Sequence, residues 1–206
     1  MRDLLVGDAP PESYESLIKY IPELKDVEGM TIEVGLRRGG GTASIVDAFL
    51  KNNDKRVHIC VDPYGNIEYY GHGHVTRYDY FNSMRNETIP NLYRYAEEHN
   101  VNIIFFNLED SEFYKRFDDG VPVYDEEKKI MSKYCFAHID GQHDVKSVDV
   151  ATDFFLKYLS VNGIIAYDNT DYYEHGLIHT KLLDNNFEVL LEEQVHSYKK
   201  IYKKLK

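Results

Sequence analysis

Met30–Thr42 reads MTIEVGLRRGGGT, and the reading of this stretch decides the fold. Met30, Thr31, Ile32 and Val34 have the branched or apolar character of a buried strand, interrupted by the charge of Glu33. Gly35 and the run Gly39-Gly40-Gly41 follow, and Thr42-Ala43-Ser44-Ile45-Val46 starts a helix. A strand, a glycine turn and a helix bring backbone N–H groups up to a ligand in a parallel α/β sheet. Glycine tolerates φ > 0 and lets a ligand touch the main chain. Glu33, at the carboxyl end of the strand, is then an acceptor in that crevice. No Lys follows the glycines, so this is not a phosphate-binding P-loop, and Gly35-x-x-x-Gly39 departs from the dinucleotide pattern G-x-G-x-x-G. A plain strand-to-helix turn would carry the same glycines, so the rest of the chain must decide.

Outward from that turn the pattern repeats. Thr42–Asn52 is a helix with Ile45, Val46, Phe49 and Leu50 facing inward. Val57–Val61 (VHICV) is a second strand, stopped by Asp62-Pro63. An acid at this strand end is where a parallel α/β fold holds ribose hydroxyls, although a turn-capping Asp reads the same way. Tyr64–Tyr80 is aromatic and irregular, which fits a lid or binding loop, and its His72 and His74 are a weak metal pair. Tyr80–His99 is helical around Pro90, and Val101–Phe106 is a third strand. Asp110 or Ser111 caps a short helix over Glu112–Phe117, and Asp118–Lys133 reads as polar surface loop. Tyr134–Ile139 is a fourth strand ending at Asp140, Val145–Leu159 a helix, and Gly163–Tyr167 a fifth strand ending at Asp168-Asn169. A helix over Glu174–Leu183 precedes an antiparallel pair, Phe187–Gln194 and Val195–Tyr202. Alternating strands and helices make a doubly wound, Rossmann-like, mostly parallel sheet closed by that pair, in one domain over 1–206. Residues 1–28 form an N-terminal cap or lid segment, broken at Pro10-Pro11.

The composition narrows the function. The 206 residues carry 24 basic and 35 acidic side chains, a net charge of −11, which argues against a nucleic acid or an anionic membrane surface as partner. No apolar run spans a bilayer and the N-terminus lacks a signal-peptide core, so a cytoplasmic protein is expected. Cys60 and Cys135 lie in apolar strand runs and read as buried free thiols. Lys199, Lys200, Lys203, Lys204 and Lys206 read as a solvated tail. An N-terminal helix of this kind often joins dimers, which makes a homodimer an expectation.

Glu33, Asp62, Asp140 and Asp168 all fall at carboxyl ends of strands, where ligands bind in such sheets. Asp140, Asp168 and the Asn169 amide make a hard oxygen site suited to Mg²⁺, Mn²⁺ or Ca²⁺. His143, three residues beyond Asp140, is a candidate proton acceptor, or a loop histidine bonded to a carbonyl.

The stretches EVGLRRGGGT, VDPYG and HIDGQHDVKSVDVATDFFLKYLSVNGIIAYDN resemble the class I S-adenosylmethionine-dependent methyltransferases. Within that group the chain looks most like the small bacterial O-methyltransferases of macrocin type, and more distantly like catechol-type enzymes. Gln142 stands where the family usually has a second Asp, and Asn162-Gly163 where it has Gly-Gly. The resemblance implies that Glu33, Gly35 and Gly39 border the methionine end of S-adenosylmethionine, that Asp62 takes the ribose, and that Asp110 and Ser111 lie near the adenine. It further implies Mg²⁺ or a similar cation on Asp140, Asp168 and Asn169, with His143 as the base and a small hydroxylated molecule, such as a sugar, as acceptor. Three other readings compete. A nicotinamide-dependent oxidoreductase shares the strand–glycine–helix–acid pattern, a non-catalytic binding module shares the fold, and a metal-dependent hydrolase would use Asp140, His143 and Asp168.

Overall fold

A computed structural model describes residues 4, 5, 7, 9, 11–65, 69–71, 74–76, 81–195 and 197–206. In chain order the strands are β1 (Met30–Val34), β2 (His58–Val61), β3 (Tyr69–Gly71), β4 (His74–Thr76), β5 (Ile103–Phe106) and β6 (Val121–Tyr124). They continue with β7 (Lys128–Met131), β8 (Tyr134–Ile139), β9 (Leu159–Tyr167), β10 (Phe187–Val195) and β11 (Ser197–Lys204). The helices are α1 (Glu15–Ile18), α2 (Gly40–Lys51), α3 (Asn82–His99), α4 (Asp110–Arg116), α5 (Val145–Tyr158) and α6 (His175–Asp184). Short 3₁₀ turns at Pro11–Tyr14 and Ile21–Leu24 flank α1.

The main sheet has seven strands in the order β10-β11-β9-β8-β1-β2-β5. β1 runs parallel to β2 and β8, β2 to β5, and β8 to β9. β11 is antiparallel to both β9 and β10. The chain starts in the middle at β1, winds outward through β2 to β5, and returns to β8 on the other side of β1. The crevice over the carboxyl ends of β1 and β8 is therefore the topological switch point where doubly wound sheets bind ligands.

Each face of the sheet has its own core. On one, Ile45, Ala48 and Phe49 of α2 meet Phe136, Ile164, Ala166 and Ile201, and the N-terminal Leu17, Ile21 and Leu24 join them. On the other, Phe113 of α4, Val148 and Phe155 of α5, and Ile178 and Leu182 of α6 cover Ile32, Val34, Ile139, Ile165 and Tyr202. Each such side chain stabilises the fold by roughly 1.5–3 kcal/mol relative to exposure. Arg56 fastens the N-terminal segment to the sheet, donating to the carbonyls of Leu24 (3.2 Å), Val27 (2.8 Å) and Gly29 (3.2 Å).

Several sequence boundaries shift. Residues 118–133 are not all loop, because Val121 and Val123 are buried and pair their strand with β7 as a hairpin. The fifth strand begins at Leu159, directly after α5, rather than at Gly163. Helix α4 begins at Asp110 after Glu109, whose side chain makes no cap, so Asp110 and Ser111 lie inside the first turn, where Asp110 accepts from Ser111 N–H. Part of the Tyr64–Tyr80 stretch forms the β3–β4 hairpin, and the side chains of His72 and His74 fall outside the described residues. The C-terminal lysines are not a tail. Lys199, Lys200, Lys203 and Lys204 lie on β11, with Lys199 2% exposed, and only Lys206 extends beyond the strand into solvent. Cys60 and Cys135 are buried and unpaired with each other. No helix among the described residues is long and apolar enough to cross a membrane.

Candidate active site

The glycine turn fits because two of its positions exclude a side chain. Gly35 has φ +93°, and a Cβ there would lie 2.1 Å from the Asp140 carbonyl oxygen. The ends of β1 and β8 can approach only over glycine. A Cβ on Gly41 would lie 1.9 Å from Glu33 Oε1, so the start of α2 leaves room for that carboxylate. Gly39 is the residue before α2.

Glu33 is buried, and both of its oxygens are held by protein groups. Thr42 Oγ1 donates to Oε2 at 2.5 Å, and His138 Nδ1 lies 3.0 Å from Oε1. Glu33 and His138 are register partners across β1 and β8, which puts their side chains side by side on the α2 face. A polar chain continues beneath, with His58 Nε2 3.1 Å from Thr42 Oγ1 and His58 Nδ1 2.7 Å from Thr31 Oγ1. Since Thr42 gives its proton to Glu33, it accepts from His58 Nε2–H, and His58 Nδ1 accepts from Thr31. Burial, with the nearby His138, lowers His58 to about 3, so the ring is neutral, as this pattern requires.

Asp62, at the end of β2, is fully buried. Arg37 N–H donates to Oδ2 at 2.9 Å and Tyr64 N–H to Oδ1 at 3.0 Å. Arg37 and Tyr64 both have left-handed backbones, φ +48° and +46°, which turn those N–H groups onto the carboxylate. Desolvation raises Asp62 to about 6, against the pull of those hydrogen bonds. The Leu36 backbone also hydrogen-bonds to it, and a carboxylate has about four acceptor positions, so about one remains for a ligand.

Asp140 and Asp168 converge at the ends of β8 and β9. Ser197 Oγ and Asn169 N–H (2.8 Å) donate to Asp168 Oδ1, and Lys199 Nζ stands 3.3 Å from Oδ2. Burial opposes charge on Asp168, but Lys199 and His138 outweigh it and hold the carboxyl below its usual range. Asp140 is pushed well above its usual range by desolvation and then by Asp168, although about a third of its side chain reaches solvent. Burial also opposes charge on His138, yet the Glu33 hydrogen bond and the surrounding carboxylates raise its pKa. His143 is nearly buried, with Nε2 3.7 Å from Asp140 Oδ1 and its ring 6.3 Å from that of Tyr172. Asn169 follows Asp168 with φ +53°.

Of the residues expected from sequence, the structure brings Glu33, Asp140, His143, Asp168 and Asn169 around one crevice, with Asp62 on the next strand. Asp110 does not join them through any contact among the described residues. Its Oδ1 accepts from Ser111 N–H at 2.7 Å, and burial, Glu109 and Asp144 raise its pKa. Sequence reading missed His138, Thr42, Ser197 and Lys199. The motif HID placed His138 beside Asp140, but nothing in the sequence showed its register with Glu33.

The donors fit a divalent cation. One atom each from His138, Asp140 and Asp168 all lie within 4.8 Å of one another. His138 Nε2 is buried and makes no hydrogen bond, an orphaned polar atom of the kind a ligand completes.

Comparison with known proteins identifies the family and the fold. A family model described as "Methyltransferase domain" matches residues 32–170. No curated protein matches the sequence. Among solved structures, the chain is similar to an S-adenosylhomocysteine-bound Podospora anserina methyltransferase, PaMTH1, with 13% identity, TM-score 0.57, and 99% and 81% of the two chains covered. It is similar to the O-methyltransferase NovP, with 15% identity, TM-score 0.55, and 95% and 79% covered. It is also similar to an O-methyltransferase family protein from Burkholderia thailandensis, with 11% identity and TM-score 0.53, where it covers 96% of its own length but only 57% of that protein. At these identities the likeness is one of fold.

Proposed function

The chain belongs to the methyltransferase-domain family, and on that premise we propose that it is an S-adenosylmethionine-dependent O-methyltransferase, assisted by a divalent cation, acting on a hydroxyl of a small polyhydroxylated molecule. The observation that carries this reading is the meeting of the glycine turn with Asp140, His143 and Asp168 over the carboxyl ends of β1, β8 and β9. The net charge of −11 favours a small acceptor over a nucleic acid. A homodimer in the cytoplasm remains part of the proposal.

S-adenosylmethionine supplies the methyl group, on a positively charged sulfur. The turn from Gly35 to Gly39 borders its methionine end, and the acceptor capacity left on Asp62 takes a ribose hydroxyl. Asp110 and Ser111 are assigned the adenine side. Asp140, Asp168 and Asn169 would hold a divalent cation, which would supply Lewis acidity toward an acceptor hydroxyl. His143 takes the hydroxyl proton on Nε2 as the new oxygen–carbon bond forms and the sulfur–carbon bond breaks, with the bonding pair leaving on sulfur. Holding oxygen, carbon and sulfur in line contributes much of the rate. Opposite charges cancel in that transition state, so excluding water helps. The N-terminal segment, whose Leu5 packs with Leu36 and Ala43 beside the turn, and the stretch 64–80 are the candidate lids.

Titration calorimetry with S-adenosylhomocysteine, with and without Mg²⁺, tests the proposal. Micromolar binding, together with turnover of hydroxylated acceptors that stops in EDTA, supports it. Turnover unchanged in EDTA and in an Asp140→Ala, Asp168→Ala double variant removes the metal. Absence of cofactor binding under both conditions removes the methyltransferase.

A further inference from the structure

His138 is absent from the assignments above, yet the structure aims it at the cation site. Its ring is 1% exposed and clamped from behind, with Nδ1 3.0 Å from Glu33 Oε1. A carboxylate at that position accepts a proton from Nδ1 and leaves Nε2 as the outward nitrogen. Nε2 makes no hydrogen bond, lies 4.0 Å from Asp168 Oδ2, and belongs to the same 4.8 Å cluster as Asp140. An imidazole held by a carboxylate on one nitrogen, with the other facing carboxylates, is how histidine ligates metals.

We propose that His138 binds the cation through Nε2, alongside Asp140 and Asp168, with Glu33 and Thr42 fixing the ring from behind. This rests on the metal-assisted reading and alters the metal's character. A nitrogen donor favours Mn²⁺ or Co²⁺ over Mg²⁺, relative to an all-oxygen site. It also gives Glu33 a task other than touching cofactor, because Glu33 Oε1 orients the imidazole and Oε2 is tied through Thr42 to the first turn of α2. The glycine turn and the cation site thus share one carboxylate.

The test uses the full chain, with Mn²⁺ as the probe and pulsed electron paramagnetic resonance as the readout. Wild-type protein grown with ¹⁵N-histidine should show a directly bound imidazole nitrogen on Mn²⁺. That coupling should vanish in His138→Gln and persist in His143→Gln. Mn²⁺ affinity should fall by about 10- to 100-fold in Glu33→Gln, the usual size for loss of a carboxylate behind a metal-bound histidine, and more than Mg²⁺ affinity does. Circular dichroism and thermal melting confirm that each variant is folded, and the wild-type spectrum needs no variant. Bound Mn²⁺ without histidine coupling, or coupling lost only in His143→Gln, overturns the assignment while leaving the metal-assisted reading standing. Failure to bind Mn²⁺ with cofactor binding intact overturns both, and leaves the Lys199 ammonium as the cation facing Asp168.

Discussion

Substituting Gly41 by alanine probes the packing that links the glycine turn to Glu33. In an exposed helix interior this change stabilises by about 1 kcal/mol, because glycine is the poorer helix former. Gly41 is buried in the first turn of α2, and the new Cβ would stand 1.9 Å from Glu33 Oε1, against 3.4 Å or more for ordinary contact. The carboxylate must retreat by about 1.5 Å (3.4 − 1.9) although Thr42 and His138 hold both of its oxygens. Retreat breaks the His138 hydrogen bond, a charge-assisted bond of roughly 1.5–3 kcal/mol, and leaves a second ring nitrogen unsatisfied at about 1–3 kcal/mol. After the helix gain, Gly41→Ala destabilises by about 1.5–5 kcal/mol. For a chain of this size that lowers the melting temperature by roughly 3–20 °C. Urea titration with an unchanged m-value checks it. A neutral or stabilised Gly41→Ala would refute the reasoning, since Glu33 would not then occupy the space above the turn.

The charges of the site yield two further predictions. Asp62 titrates near 6 because burial disfavours its charge, so it gains a proton as pH falls from 7 to 5 and loses acceptor capacity. S-adenosylhomocysteine affinity should weaken by about tenfold per pH unit below 6 if the carboxylate binds the ribose, and calorimetry at pH 7 and 5 checks it. Lys199→Met leaves Asp168 buried without its ammonium and should destabilise by about 3 kcal/mol at neutral pH in urea. Lys199 and His138 hold the folded pKa of Asp168 below its unfolded value, so this contribution is present above the unfolded pKa and is lost as pH falls through the folded one. The gap between wild type and Lys199→Met should accordingly close in acid.

The parallel core was legible because its strands are short apolar runs closed by Asp62, Asp140 and Asp168, with amphipathic helices between. Those signals are local, and they gave the strand ends where ligands bind. The β6–β7 hairpin was not legible because Lys128, Lys129 and Ile130 face solvent, so that strand has no apolar alternation. Lys199 was hidden inside a run of lysines. Only the insertion of β11 between β9 and β10 turns its side chain toward Asp168 while Lys200 pairs with Glu192. His138 was overlooked for a related reason. Strand-end reasoning stops at Asp140, whereas the partnership of His138 with Glu33 depends on the register of strands 105 residues apart. Pairings fixed by register, rather than by neighbouring residues, were the part the sequence did not disclose.

The place of β11 also bears on how the protein is made. A chain leaving the ribosome presents the acids of β8 and β9 first, and Ser197 and Lys199 only later. Strand β10 emerges before β11, yet among the described residues its only sheet neighbour is β11, so it gains its place only when the β10–β11 hairpin docks as a unit. Until then Asp168 stands beside Asp140 without its ammonium, and one edge of β9 is open. The crevice over β8 and β9 is therefore completed by β11, and a nascent polypeptide halted before Ser197 would hold the glycine turn with Asp168 still lacking its ammonium.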